Sequence, residues 1–575
     1  MSYSSPKKPL VRCRLPLCRM PAAVWALLRA ILACVVRLSP AACCSFLILS
    51  PSAIAQDDPP SFATPGELAR RIDQQLEAEL AGHSPAPMCS DAEFMRRVCL
   101  DFSGRIPTAA EVRSFLGDSA GDRRARLIQQ LLADPAWSLR MADAFHVMLM
   151  ERRGEHSEWL AFLRTSFAAN KPWDVLVRDI LDPDATQEQL RGAAYFQTRR
   201  LEKVGQQETD YAGLTRDIGR LFLGCDLQCA QCHDHLSIDS YRQVDFQGLY
   251  TVYQNAVIRT DVPYPAVAER LLTKKTDYMS VFEKTPQSVG PRIPFGTEQQ
   301  IPQFEKGQEY AVAPDRAKNF PGIPRFRGMQ VIAADVTSKN NRRFAENAAN
   351  RLWFLMLGTG LVNPLDQLHD DNPATHPALL ALLADFLTET GFDLKRFMHE
   401  LALTQVYQRT TAGSQAESRA YQFGRERRLS AEQLLQSMFT ACGPGTAVAG
   451  GLRADEESAE QKAVREAFVR AFGNVPQDPE LDFSPSLRSA LFVMNDPHVQ
   501  GLLQPRDGNL SARLLELSDS AAFADELYLS VLSRFPDESE RTFVREYLAE
   551  RQDRQQATGN LIWSLLASTE FCLNH

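Results

Sequence analysis

Apolar residues recur at helical spacing through most of the chain beyond residue 64. Leu68, Ile72 and Leu76 lie four residues apart, directly after the capping sequence Thr-Pro-Gly-Glu at 64–67. A stripe of this kind is typical of an amphipathic helix that packs one face on a core. The same spacing returns several times along the chain, and it predicts a helical domain over residues 64–255.

A proline-rich segment at residues 256–327 interrupts this periodicity. It contains nine prolines, and proline ends helices because it lacks an amide donor and clashes with the preceding turn. Short strands are predicted at 279–282 and 329–332. Helical periodicity then returns, most clearly at 377–390, and predicts a second helical domain over residues 328–575. The predicted fold is mainly α, with two helical domains joined by a Pro-rich, partly β segment.

Residues 1–55 have the features of an export signal. A basic region leads into the apolar run 41–49, and Ala-Ile-Ala at 53–55 has the small-x-small pattern of a cleavage site. Arg29 and Arg37 keep the apolar stretches well short of the ~20 residues that a spanning helix needs. We therefore predict a signal peptide, a periplasmic or cell-surface location, and no stable membrane span after cleavage.

Composition narrows the classes of function. The chain of 575 residues is 44% hydrophobic and 23% charged, as is usual for a globular protein, and its formal net charge is −8. The first 55 residues hold seven basic residues and no acidic one, so the acidic excess in the rest of the chain rises from eight to fifteen. An acidic body argues against nucleic acid as a partner, because nucleic-acid binding needs clustered positive charge.

Cysteine and histidine are concentrated in one short stretch. Cys229, Cys232 and His233 form C-x-x-C-H, the pattern of covalent haem attachment. Two thiols three residues apart lie about one helical turn apart, so both can bond one porphyrin edge, and the next residue offers an imidazole to the iron. The pattern predicts haem c at these residues. The pattern does not name the distal ligand, for which His146, His156 and the methionines are candidates.

Two other interpretations of this stretch remain open. The helix that leads into the motif is predicted to place Cys225, Cys229, Cys232 and His233 on one face, and with His235 they could hold zinc. Alternatively, the cysteines form a disulfide or pack as apolar thiols, and the histidines bond to nearby carboxylates. The site would then be structural.

Two further groups of residues carry weaker signals. Cys89 and Cys99 are either a local disulfide, as export would allow, or buried apolar thiols. The loop His369-Asp370-Asp371-Asn372, with His376, is polar enough for a hydrolytic or calcium site, although capping and loop hydrogen bonds explain it as well.

The motifs together resemble a known pair of domains. The first set resembles the planctomycete cytochrome-associated (PSCyt-type) domain of unknown function: Phe-Leu-Gly at 222–224, Cys-Ala-Gln-Cys-His-Asp-His at 229–235, and the segments 100–108 and 171–174. The second set resembles its usual C-terminal companion, the PSD-type domain: the segments 350–353, 358–362, 372–377, 407–408, 428–432, 494–497 and 568–571. Three positions depart from the first pattern. Leu236 replaces a usual proline, Tyr241 replaces a common tryptophan, and Cys225 lies outside the pattern.

The resemblance implies a large exported protein with no settled activity. From the C-x-x-C-H pattern we expect a c-type-cytochrome-like, single-haem electron carrier with an unknown redox partner. The alternatives are an extracytoplasmic metal-dependent hydrolase acting on polysaccharide, and a non-catalytic cell-surface or scaffold protein with a structural Cys/His cluster. Whether the chain is an enzyme stays open at this point.

Overall fold

Helices make up most of the chain that the structure, a computed structural model, describes. The described residues are 64–575 except 81, 204, 414–419, 444–458, 478–491, 493 and 507. They belong to one compact unit. The predicted signal peptide lies outside the described residues.

The α-helices before the proline-rich segment are Glu67–Glu79, Asp91–Ser103, Ala109–Gly117, Arg123–Ala133, Pro135–Met150, Ser157–Ala168, Trp173–Leu181, Tyr195–Leu201, Tyr211–Leu223 and Gln243–Tyr253. Those after it are Gly328–Val336, Arg342–Leu357, Pro377–Glu389, Leu394–Leu403, Gln405–Gln408, Ala431–Cys442, Ala459–Phe472, Pro497–Leu502, Leu510–Glu516, Ser520–Leu532, Glu538–Glu550 and Arg554–Leu566. Short 3₁₀ helices lie at Glu188–Ala194, Cys229–Gln231 and Arg316–Lys318.

The β-structure in the described residues consists of antiparallel two-stranded pairs. Ala256–Ile258 pairs with Val267–Glu269, Thr276–Met279 with Pro286–Val289, Tyr310–Val312 with Ile323–Pro324, and Arg427–Arg428 with Leu573–Asn574. Three of these pairs lie in the proline-rich segment. The prediction of a mainly α fold with a partly β segment is thus confirmed.

Local sequence signals set some helix starts but not others. Thr108 and Ser430 each form a capping box with the residue three positions later, Glu111 and Gln433. The first helix differs, because its N-cap is Gly66 and no side chain of its own caps it. Glu400, from a distant helix, instead accepts hydrogen bonds from the amides of Gly66 (2.7 Å) and Ala69 (3.2 Å). The start of this helix is therefore capped by a tertiary contact and not by its own sequence.

Two apolar clusters form the core. The larger one includes Leu68, Trp137, Phe222 and Trp353, so helices from both predicted helical domains contribute to it. The smaller one packs Leu100 and neighbouring residues against the helices beyond residue 429. The domain limits taken from the sequence stay a prediction.

A buried carboxylate joins the N-terminal helices to the end of the chain. Asp101 accepts hydrogen bonds from Tyr407 Oη (2.7 Å), Arg427 Nη2 (2.7 Å) and Asn574 Nδ2 (3.0 Å). Buried charge is stable only when it is paired and hydrogen-bonded, and this carboxylate has both kinds of partner.

Two remaining expectations concern cysteines and membrane spans. Cys89 and Cys99 are buried and unbonded to each other, and burial raises the pKa of the Cys99 thiol to about 12. They pack as apolar thiols.

Within the described part of the chain, no helix combines the length and the apolar character that crossing a bilayer requires.

Candidate functional site

The helix before the Cys/His motif ends earlier than predicted. Tyr211–Leu223, here called the motif helix, is closed by Gly224, whose φ of +64° is a left-handed conformation that glycine adopts readily. The chain then turns back, and the amide of Cys225 donates to Gly219 O at 3.1 Å. The prediction that Cys225, Cys229, Cys232 and His233 share one helical face is therefore wrong.

Cys225 is packed apart from the other two cysteines of the motif. It is buried and forms an isolated β-bridge with Gln367. Its thiol donates to Leu223 O at 3.2 Å, and Arg343 Nη1 lies 3.4 Å from the sulfur. Burial raises the pKa of this thiol to about 11, so it stays protonated at neutral pH. Cys225 therefore holds the motif against a distant segment of the chain.

Cys229 and Cys232 lie on an exposed turn. The 3₁₀ helix Cys229–Gln231 has about three residues per turn, which brings positions i and i+3 onto the same side. Both cysteines are free and exposed. Gln231 anchors the turn, because Arg216 Nη1 donates to its side chain at 2.6 Å and Gln247 Nε2 to its carbonyl at 3.1 Å.

His233 has the orientation expected of a metal-ligating histidine. Its Nδ1 lies 2.6 Å from the carbonyl oxygen of Asp234, a contact that places the proton on Nδ1. Its Nε2 has no hydrogen bond to any residue in the described part of the chain. Metal-binding histidines commonly donate one ring nitrogen to a carbonyl and use the other as ligand.

Exposed apolar side chains lie beside these groups. Phe282 packs against the His233 ring with centroids 4.7 Å apart, yet it is 64% exposed. Val281, whose amide donates to Cys232 O at 3.1 Å, is 59% exposed, and Leu236 is 76% exposed. We call Val281 and Phe282 the apolar patch. It offers a hydrophobic surface next to two free thiols.

His235 takes part in a second cluster, on the inner side of the motif. Its Nδ1 accepts hydrogen bonds from the amides of Ser237 (3.2 Å) and Ile238 (3.0 Å). Its ring contacts Tyr241, which packs edge-on against His369 with centroids 5.3 Å apart. Both ring nitrogens of His369 are buried without a hydrogen-bond partner, and burial lowers the pKa of His369.

The described residues do not arrange these side chains as ligands of one ion. Over the part of the chain that the structure describes, no group of three or more His, Cys, Asp or Glu residues could hold a metal ion. Zinc bound by Cys225 and His235 together with the C-x-x-C-H residues therefore stays a prediction without geometric support.

The two histidines considered as distal ligands belong to other packing contacts. His146 is buried, and its Nδ1 accepts a hydrogen bond from Trp159 Nε1 at 3.0 Å. His156 caps a helix, with its Nδ1 accepting from the amide of Glu158 at 3.3 Å.

Several residues of the site escaped sequence reasoning. Arg343 donates to both Cys225 and the carbonyl of Leu368, and the Leu368 amide donates to Gly224 O at 2.9 Å. The contacts of Arg343 with Cys225 and of Leu368 with Gly224 join segments more than 100 residues apart, and no local motif marks them. Val281 and Phe282 did have a signal, as apolar residues of the strand predicted at 279–282.

Comparisons with known proteins agree with the motifs. The PSCyt2 family, described as "Protein of unknown function (DUF1549)", matches residues 70–257. The PSD1 family, described as "Protein of unknown function (DUF1553)", matches residues 330–548. A comparison with curated proteins found no match, and neither did a comparison with solved structures. The chain therefore contains a PSCyt2 domain over residues 70–257 and a PSD1 domain over residues 330–548, in agreement with the resemblance of its motifs to this pair of domains.

Proposed function

We propose that this protein is a c-type-cytochrome-like electron carrier with one haem bound covalently to Cys229 and Cys232. The supporting observation is the pairing of two exposed thiols on one side of a 3₁₀ turn with His233, whose Nδ1 contacts a carbonyl and whose Nε2 is available. His233 would be the proximal iron ligand.

The residues present fit this group in three respects. Cys229 and Cys232 would form thioethers with the porphyrin edge, and the contact with Asp234 O would fix the tautomer and orientation of His233. The apolar patch would cover part of an otherwise exposed porphyrin face. Haem supplies one-electron chemistry, and the protein tunes its potential through axial ligation, hydrogen bonds and burial.

The proposed location is outside the cytoplasm, in the periplasm or at the cell surface. Covalent attachment through C-x-x-C-H is an extracytoplasmic process in bacteria, and residues 1–55 have the pattern of an export signal. The proposed partner is a redox protein or another cell-surface component.

The test is to export the full chain in a host with haem-attachment machinery, and to record a visible spectrum and a haem stain after denaturing electrophoresis. We expect a red protein that retains haem on the gel. The double variant Cys229→Ser, Cys232→Ser should lose the stain, whereas Cys225→Ser should keep it because that thiol is buried in packing.

The outcomes separate the three interpretations. A folded but colourless wild-type protein would overturn the haem proposal. Metal analysis of the same sample would then distinguish a zinc site, with stoichiometric metal, from a structural cluster, with none. His233→Ala should keep the covalent stain but change the spectrum, because thioethers do not depend on the axial ligand.

A further inference from the structure

A cavity of about 330 Å³ lies away from the Cys/His motif. Its walls come from the helix Pro135–Met150, the end of the helix Arg342–Leu357, and the segment 425–433. Ligand pockets for small molecules start at about 300 Å³, so the space suits a small ligand.

Arginine dominates the lining, but most of these side chains already have partners. Arg220 binds Glu151 at 2.6 Å and Asp366 at 3.0 Å, and Arg427 binds Asp101 at 2.7 Å. These pairs neutralise one another and form a rigid wall. They leave little charge for a ligand.

Two arginines in the lining, Arg140 and Arg425, differ from these because they make no such ion pair. Arg140 is only 9% exposed, and it makes no hydrogen bond or ion pair with any residue that the structure describes; its buried Nε lacks a partner. Its aliphatic stem packs closely on Gly104, so the side chain is held in place. Arg425 lines the same cavity, is exposed, and likewise has no such bond to a described residue. The carboxylates of Asp101, Asp143 and Glu432 lie near enough to Arg140 to stabilise its charge, but they do not accept hydrogen bonds from it. Buried donors without an acceptor are costly, and an anion in the cavity would remove that cost.

Among the acidic residues in this part of the wall, Asp143 is the one whose protonation would favour a bound anion in mild acid. Burial raises the pKa of Asp143 to about 6, so this carboxyl becomes neutral in mild acid and can then donate a hydrogen bond. Glu432 is held ionised by Arg152, and its pKa is lowered to about 2. Glu426 is exposed at the cavity.

We infer that this cavity binds a small organic or inorganic oxyanion, carrying a carboxylate, sulfate or phosphate group, between Arg140 and Arg425. Guanidinium groups bind such oxyanions through paired N–H donors. The site is independent of haem, and its test does not depend on whether haem is attached.

Calorimetric titration of the purified full chain tests this inference. The probes are D-glucuronate, inorganic sulfate and inorganic phosphate, with D-glucose as the neutral control. We expect saturable binding of at least one anion and none of glucose, and the anion that binds identifies the class of ligand. Arg140→Gln and Arg425→Gln should each weaken binding at least tenfold. Arg545→Gln, an exposed arginine elsewhere, should leave binding unchanged.

The pH dependence adds an independent readout. The charged groups around Asp143 are Arg140, Arg164, Glu432 and Arg465, and Glu432, whose pKa is lowered to about 2, keeps its charge between pH 5 and 8. Sulfate, whose charge is constant over this range, should bind more tightly at pH 5, and Asp143→Asn should remove the difference.

Two results would overturn the inference. One is the absence of binding for all three anions, and the other is unchanged affinity in the arginine variants. If Arg140→Gln does not fold because its site is buried, Arg425→Gln decides the question, since Arg425 is exposed.

Discussion

Replacing Gly224 by alanine should destabilise the protein more than the same change at Gly391. Both glycines follow the last turn of a helix, and their φ values, +64° and +67°, are nearly equal. Their surroundings differ. A Cβ on Gly224 would lie 3.1 Å from Asn347 Oδ1 and 3.2 Å from Leu368 Cβ, whereas one on Gly391 would meet nothing within 4 Å.

The cost of placing alanine in a left-handed conformation can be separated from the cost of fitting its Cβ against neighbouring atoms. A left-handed alanine costs about 1–2 kcal/mol, partly offset by about 0.4–1 kcal/mol from the stiffer unfolded chain. Gly391→Ala should show this net effect alone. Gly224→Ala adds overpacking, typically about 1–3 kcal/mol. Asn347 cannot easily move away, because its Nδ2 donates to Leu221 O at 2.9 Å and its Oδ1 accepts from Arg351 at 3.1 Å.

Urea unfolding followed by far-UV circular dichroism measures the difference. We expect the free energy of unfolding of Gly224→Ala to fall below that of Gly391→Ala by about 1–3 kcal/mol. Equal losses in the two variants would refute the reasoning, since they would show that the contact between the motif helix and the 368 region carries no steric constraint.

Two other predictions concern buried carboxylates. Asp101→Ala should lower the free energy of unfolding by about 3–5 kcal/mol, because Arg427 would remain largely buried without its partner. As a control, Asp385→Ala removes an exposed ion pair and should lower it by about 0–1 kcal/mol. Similar shifts of the urea midpoint in the two variants would contradict this prediction. Burial raises the pKa of Glu269 from 4.5 to about 7, so the folded state binds this proton more tightly than the unfolded chain. Stability should therefore fall by on the order of 3 kcal/mol as pH rises from 4.5 to above 7, and Glu269→Gln should lack this fall; identical pH profiles for both proteins would count against it.

Much of the secondary structure could be predicted from local patterns, but two short predicted strands were misjudged. The predicted strand at 329–332 lies in the helix Gly328–Val336, and the predicted strand at 279–282 overlaps the observed Thr276–Met279 only at Met279. A segment of four residues, three of them apolar, does not distinguish a strand from a buried helix. The buried residues Met329, Ile332, Ala333 and Val336 do have helical spacing over the longer window.

The sequence pointed to the residues of the candidate site but not to their geometry, and their binding of haem stays a prediction. The spacing of Cys229, Cys232 and His233 pointed to haem attachment, and it did so without any knowledge of the fold. The assumption that one helix carried the whole motif was wrong because Gly224 ends that helix. The exposed position of the two thiols and the nearby apolar patch came from the structure.

The local sequence alone determined those features whose signals lie within a few residues of one another. They are the amphipathic helices, the capping boxes at Thr108 and Ser430, and the C-x-x-C-H spacing of the motif. Tertiary structure decided the rest. Glu400 caps a helix more than 300 residues away in sequence, and Asp101 joins an N-terminal helix to the C-terminal strand. Arg140 lies beside the cavity with its buried Nε lacking a hydrogen-bond acceptor. The physical reason is range: backbone periodicity and capping act over one or two turns, whereas burial and the pairing of charges depend on which distant surfaces meet.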